Sequence, residues 1–387
     1  MTEALIENRT LVWAVERADV STEALARKIH TSEDRVEDWL SGEKKPTFKQ
    51  AMSLADALHV PFGYLFLKEP PKETFPIPDF RTVGSTRFRS NNEVLDLLRD
   101  IQQKREWFLE YKELIGADPL PFVGSLSKMI KTPEAASKIR SDLLSVDANL
   151  FDGRKSQDQF LTAFMNALEN LGVWVMRSGI VGNNTHRPLD VSAFRGFALS
   201  DRVLPIIFIN GQDAKAAQIF TLAHEVCHIW LGTNDVSDTS IAENDFSSAT
   251  QDESYCNSCA AELLVPAAEL QKAWRTAEEL SNQVDNLARQ FSVSRIVIAR
   301  RALDLNLLHK STFDEFYSSE SARWAALKQK KRKGGNFYTT IPVRNGRAFT
   351  KSVLSEAMRG TILLREASRL LGIKPSKVAA LQAKMVG

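Results

Sequence analysis

Apolar side chains recur at helical spacing through the first part of the chain. Leu11, Val12, Val15 and Ala18 mark one helix. Ser21 is placed to cap a short helix carrying Leu25, Ala26 and Ile29. Thr31 or Ser32 can cap the next, with Val36, Trp39 and Leu40 inward and Ser41-Gly42 as its stop. Thr47 opens a fourth helix through Met52, Leu54, Ala55 and Leu58, and Pro61 opens a last turn, Phe62 to Leu67. Residues 68–90 hold four prolines, which exclude helix and central strand and predict a linker or strap. Leu95, Leu98, Ile101, Trp107, Phe108 and Leu114 then form the stripe of a long helix over 92–115, and 119–171 reads as helical. After Gly172 the pattern switches. GVWVM, SAFRGFAL and VLPIIFIN are β-rich runs that predict a small sheet. A helix follows from about Asp213 to Leu231, then a polar loop at 232–252 and a second helix from about Glu253 to Leu264, stopped by Pro266. The stretch 267–309 is helical again, and a basic run at 328–335 precedes a final unit at 336–387. The expected class is mainly α with a small β-sheet (α+β), in several domains.

Three segments share one rhythm: 23–40, 286–303 and 366–381. Each has Ala inside a first helix, a turn, then a second helix with Val or Ile inward. That is the pattern of a helix-turn-helix pair.

Length and charge sharpen this picture. At ~150 residues per domain, 387 residues suggest two or three domains. A hydrophobic share of 43% with 25% charged is ordinary globular composition and excludes a chain disordered throughout. No apolar run approaches the ~18 residues of a membrane helix, and MTEALIENRT has no apolar signal core. Three cysteines make no disulfide framework. The expectation is a cytoplasmic protein without a membrane partner. The net charge of +2 is unevenly spread. Residues 1–66 carry −3 and residues 281–387 carry +13, leaving −8 for the middle. One end is therefore suited to a polyanion or an acidic partner.

The candidate chemistry is His224-Glu225-Val226-Cys227-His228, an H-E-x-x-H run inside AAQIFTLAHEVCHIWLG. Residues i and i+4 share a helical face, so both imidazoles can reach one ion. Glu225 beside them can serve as general base. Two neutral imidazoles plus a carboxylate suit zinc. No third histidine follows in metzincin spacing, so the third ligand is sought among Glu243, Asp245, Asp252, Glu253 and Glu262. Glu253 is favoured because it starts a helix that can cross the motif helix. Asn257, one turn later, can then hydrogen-bond a ligating histidine. Tyr255, His186 and His309 are candidates for steadying the oxyanion.

FTLAHEVCH followed by ESYCNSCAAELLVP resembles the ImmA/IrrE family of zinc metallopeptidases. The resemblance implies His224, His228 and Glu253 as zinc ligands and Glu225 as general base. Cys227 stands where the family often has Gly, and Cys256 and Cys259 where it often has Ala and Phe. All three cysteines thus surround the motifs, either as small buried residues or as a redox pair or alternative metal site. The N-terminal unit resembles Xre/Cro-type helix-turn-helix domains, through LARKIHTSEDRVEDWLSG and PTFKQAMSLADALHV. GGNFYTTIPVRNGRAFT and REASRLLGIKPSKVAAL are similar to the tail of longer Xre–ImmA/IrrE fusions, often encoded beside toxin genes as antitoxins. A homodimer is a further implication of the Xre resemblance.

In a helix-turn-helix the second helix leads into the major groove. In the N-terminal unit it reads SEDRVEDW, setting Glu33, Asp34, Glu37 and Asp38 against a polyanion with Arg35 alone to help. Lys44, Lys45 and Lys49 could touch the backbone, and protein docking or dimerisation is the rival role. Lys330, Lys331, Arg332 and Lys333 could contact nucleic acid or grip an acidic protein. The expected organisation is an Xre-like domain (1–67), a Pro-rich linker and long helix (68–115), a zinc peptidase domain with a trailing helical segment (116–310) and a basic C-terminal domain (311–387). The expected function is zinc-dependent cleavage of a specific protein, a repressor or partner toxin. The alternative is a non-proteolytic antitoxin or transcriptional regulator that binds DNA or a toxin and keeps a structural zinc site.

Overall fold

The computed structural model describes residues 3–18, 20–71, 92–153, 155–237, 251–275, 278–327 and 336–386. The chain divides into two compact units, Met1–Pro76 and Ile77–Gly387.

The first unit packs helices Asn8–Ala18, Thr22–Lys28, Glu33–Ser41 and Phe48–Leu58 and a short 3-10 turn, Phe62–Phe66. Leu11, Ala14, Leu25, Val36, Trp39, Leu54, Leu58 and Leu65 close its core. Its starts are set by capping. Ser21 accepts from the Ala24 N–H, and Thr47 with Gln50 forms a reciprocal capping box. Ser32 occupies the N-cap of the third helix without a side-chain bond.

The second unit is built around a sheet of order β1-β3-β2-β4, with β1 Trp174–Ser178, β2 Gly196–Leu199, β3 Ile206–Asn210 and β4 Asp235–Ser237. β1 runs parallel to β3, and β2 is antiparallel to both β3 and β4. Every residue of β2 and β3 is buried. The motif helix, Lys215–Leu231, lies on β2 and β3. A second helix, Gln251–Leu264, packs between the motif helix and helix Thr132–Val146. The protein is thus mainly helical with a small sheet, as the hydrophobic pattern predicts.

Two stretches of 119–171, expected to be helical, depart from that pattern: 147–153 is a loop between two helices, and 119–131 is non-helical because Pro119, Pro121 and left-handed Gly124 (φ 69°) interrupt the helix. The freed backbone has a definite use. Gly124 N–H donates to the Ile229 carbonyl at 3.1 Å and Leu126 N–H to the Trp230 carbonyl at 2.9 Å. These bonds satisfy carbonyls at the end of the motif helix that have no partner within it. Trp230 is further held by stacking on Phe122 and by donating its Nε1–H to Asp142 at 2.8 Å.

All three segments with the helix-turn-helix rhythm are helix pairs. Their turns contain a left-handed residue: His30 (φ 57°), Ser292 (φ 54°) and Gly372 (φ 65°). The last pair belongs to a bundle of Arg347–Arg359, Leu364–Leu371 and Pro375–Val386, in which each helix packs on the other two. Phe349 anchors the bundle in an aromatic cluster with Trp107, Phe108 and Trp174, and Trp174 donates its Nε1–H to the Asn345 carbonyl at 2.7 Å. Among the described residues no helix is long and apolar enough to cross a membrane.

Candidate metal centre

The motif helix is buried along almost its whole length. Ile219, Leu222, Ala223, Val226 and Trp230 face the core, so the helix cannot rotate without exposing them. That fixes the direction of the remaining face, where His224 and His228 lie one turn apart and only 2% and 1% exposed. Their Nε2 atoms are 3.0 Å apart. Glu253, in the first turn of Gln251–Leu264, turns both carboxylate oxygens to the pair, with Oε2 3.4 Å from His224 Nε2 and Oε1 3.4 Å from His228 Nε2. The three donor atoms lie within 4.8 Å of one another.

The donor set fits a zinc-sized ion. A tetrahedral ion with bonds of ~2.0–2.1 Å holds its ligand atoms ~3.3 Å apart; here the two Nε2 atoms stand 3.0 Å apart, with one Glu253 oxygen 3.4 Å from the first and the other 3.4 Å from the second. The outer ring nitrogens are occupied in the way such a site needs. His224 Nδ1 meets Asn257 Oδ1 at 2.9 Å, and His228 Nδ1 meets Thr233 Oγ1 at 2.9 Å. With each Nδ1–H donating outward, each Nε2 keeps its lone pair for a cation.

Local structure explains each supporting residue. Asn257 follows Glu253 by four positions, so one helical face supplies both the carboxylate and the histidine's partner. Thr233 is brought back by the helix end. Gly232 takes the left-handed conformation (φ 72°), and the Thr233 N–H returns to the His228 carbonyl at 3.0 Å. Thr233 lies outside the H-E-x-x-H spacing. Its only sequence signal is the Gly-Thr pair directly after the helix.

Glu225 is fully buried. β2 crosses it at Gly196, where a Cβ would stand 2.7 Å from Thr221 Cγ2, 2.8 Å from the Phe208 carbonyl and 3.2 Å from Glu225 Oε1. Gly196 is therefore the residue that lets the sheet approach the candidate base. In the sequence Gly196 is legible only as part of a β-rich run.

The other third-ligand candidates are engaged elsewhere or not described. Asp252 pairs with Lys128. Glu262 pairs with Arg301 and accepts from the Ala267 N–H. Glu243 and Asp245 lie outside the described residues. Tyr255 donates its hydroxyl to the Ile130 carbonyl at 2.9 Å, and burial pushes its pKa up to about 12, so its proton is committed away from the candidate metal centre. His186 and His309 are exposed in loops.

Cys227 on the motif helix and Cys256 and Cys259 on the helix packed against it form no disulfide and are completely buried. Burial, then a hydrogen bond with Cys259, pushes the Cys227 thiol well above its ordinary pKa, and Cys227 donates to the Ala223 carbonyl. A protonated, enclosed thiol packs as a small hydrophobe, and this environment opposes the thiolate that redox or metal chemistry needs.

The candidate nucleic-acid contacts of the first unit each have their own neighbours. Lys44 pairs with Asp38 at 2.6 Å, and Lys45 donates to the Ile6 carbonyl and to Asn8. Arg35 is exposed between Asp34 and Glu37. Lys330, Lys331, Arg332 and Lys333 lie outside the described residues.

Residues 168–303 match the model of the metallopeptidase family described as the IrrE N-terminal-like domain. This span covers the sheet, the motif helix, Glu253 and the middle helix pair. Residues 345–384 match a domain of unknown function, DUF8813. No curated protein and no solved structure matches the chain.

Proposed function

We propose that this chain is a zinc-dependent endopeptidase-type regulator that cleaves a specific protein, a repressor or a partner toxin. The observation that carries the reading is the convergence of His224, His228 and Glu253 on one point, with both outer ring nitrogens tethered and Glu225 adjacent on the same helix. The match of 168–303 to a metallopeptidase domain supports it. A zinc ion held by those three residues would supply a Lewis acid for a scissile carbonyl and lower the pKa of water towards neutrality. The protein's own residues do the rest. Asn257 and Thr233 hold the two imidazoles in one tautomer. Glu225 takes a proton from the attacking water and returns it to the leaving amine. Gly196 leaves room for that carboxylate beside β2.

A specific observation favours a second reading. Glu225 is wholly enclosed, and the histidines nearly so. Such enclosure suits an antitoxin or transcriptional regulator that keeps the metal as a structural pin. Glu225→Gln separates the two, because it removes the base but none of the three ligands. In cells producing the full-length protein, mapping of new N-termini should find a cleaved protein with wild type and not with Glu225→Gln, at equal zinc content. The same N-termini with both proteins, or none with either, would transfer the weight to the structural reading.

A further inference from the structure

The three helix pairs offer a controlled comparison, because they share a motif and differ in surface. The second helix of the middle pair, Arg295–Asp304, buries Val297, Ile298, Ala299 and Ala302, and Asp304 is its only fully exposed residue. It is a core element with no face to offer. The corresponding helix of the first pair, Glu33–Ser41, is open but exposes Glu33, Asp34 and Glu37 against Arg35 alone. A phosphate backbone repels that face.

The third pair is open and basic. Leu364–Leu371 and Pro375–Val386 are joined by three residues, Gly372-Ile373-Lys374, with Gly372 left-handed. This is the turn length and turn residue of a helix-turn-helix. Ala367, Leu370, Leu371, Ile373, Val378 and Leu381 face inward. Residues 347–386 carry eight Lys/Arg and two Glu. All eight cations are exposed, whereas Glu356 is buried and Glu366 is half-buried. Every fully exposed charged side chain on the described bundle is thus a cation. At 100° per residue, the outward face of Pro375–Val386 centres on Ser376, Ala379, Ala380 and Ala383. Lys377 and Lys384, two turns apart, run along one edge, and Lys374 precedes the helix. Short side chains at the centre let a helix backbone sit deep in a groove, where Ala methyls can meet thymine methyls. Lysines at the edge are placed for phosphates.

We propose that the bundle 347–386 is a surface for double-stranded DNA, with helix Pro375–Val386 entering the major groove and Arg365, Arg369, Lys374, Lys377 and Lys384 meeting the backbone. The inference is independent of the metal centre, since none of these residues takes part in it. Charge complementarity selects DNA over an apolar partner. Exposed Met358, Leu363 and Leu364 in the approach to the pair make an acidic protein the competing occupant.

The test uses the full-length chain and a fluorescent mixed-sequence duplex of about 30 base pairs, titrated from about 50 to 200 mM salt. Wild type should bind with a steep salt dependence. The triple variant Lys374→Ala/Lys377→Ala/Lys384→Ala should bind at least about tenfold more weakly and lose roughly two to three from the slope of log Kd against log salt. Arg35→Ala/Lys49→Ala should bind as wild type. Loss in the N-terminal variant with retention in the triple variant would assign DNA to the first unit and overturn the proposal. Absence of wild-type binding at the lowest salt, or competition by polyglutamate as strong as by DNA of equal charge, would overturn it as well. Circular dichroism of each variant confirms that the helices are intact.

Discussion

Asn257→Ala isolates the contribution of the group that steers His224. Asn257 is buried, and its Oδ1 lies 2.9 Å from His224 Nδ1. Truncation leaves that buried N–H without an acceptor, a penalty of about 1–3 kcal/mol. It also frees the imidazole to rotate or to adopt the tautomer that blocks Nε2. Loss of such a supporting hydrogen bond weakens metal binding by ~10–100-fold, equivalent to about 1.4–2.8 kcal/mol. The two figures agree because the same bond is lost in both descriptions. The assay is zinc titration of the full-length protein against a chromophoric chelator of known affinity. Asn257→Asp serves as control, because it keeps an oxygen at the same place and should bind zinc as tightly as wild type or tighter. A twofold or smaller change in Asn257→Ala would refute the reasoning, since His224 would then be oriented without Asn257.

Thr233→Val removes the weaker partner of the other histidine and should lower zinc affinity by up to about tenfold in the same titration. Gly196→Ala forces a methyl into space bounded by Thr221, the Phe208 carbonyl and Glu225. It should cost about 1–3 kcal/mol in urea unfolding and reduce any cleavage activity while zinc content is unchanged. Cys227, Cys256 and Cys259 should resist an aromatic disulfide reagent in the native protein and react only after unfolding; rapid native labelling would revive a redox role. Burial raises the Glu169 carboxyl from 4.5 to about 7, although it accepts from the Arg347 and Ala348 N–H groups. An acid with a raised folded pKa binds more protons folded than unfolded between those values, so its contribution to stability is lost as pH rises from 4.5 through about 7. The full difference is worth ~3 kcal/mol, or about 1–2 kcal/mol after discounting for solvent at a half-buried site. Glu169→Gln should therefore be more stable than wild type by that margin at about pH 8, with the gap closing towards pH 4.5.

The parts of the site legible in the sequence are those that depend on helix periodicity alone. His224 and His228 share a face because they are four apart, and Glu253 and Asn257 share one for the same reason. The long helix, the three β-rich runs and the helix pairs follow from the period of the apolar residues. What escaped depends on long-range partners or on chain ends. Asp252 and Glu253 are adjacent, and although the helix start favours Glu253, periodicity does not show what takes Asp252 away from the histidines. Lys128, more than a hundred residues away, draws Asp252 aside. Thr233 reaches His228 only through the left-handed Gly232, and Gly196 meets Glu225 only through the packing of β2 on the motif helix. The segment 119–131 misled because its apolar residues suggested a helix, while Pro119, Pro121 and Gly124 turn its backbone donors to the end of the motif helix.

The central claim is that His224, His228 and Glu253 together hold one metal ion. Elemental analysis of full-length protein purified without added zinc tests it most directly, for wild type and for Glu253→Ala. One zinc per chain in wild type, lost in the folded variant, is the expected result. No metal in wild type, or metal retained in full by Glu253→Ala, would contradict the ligand set and the function built on it.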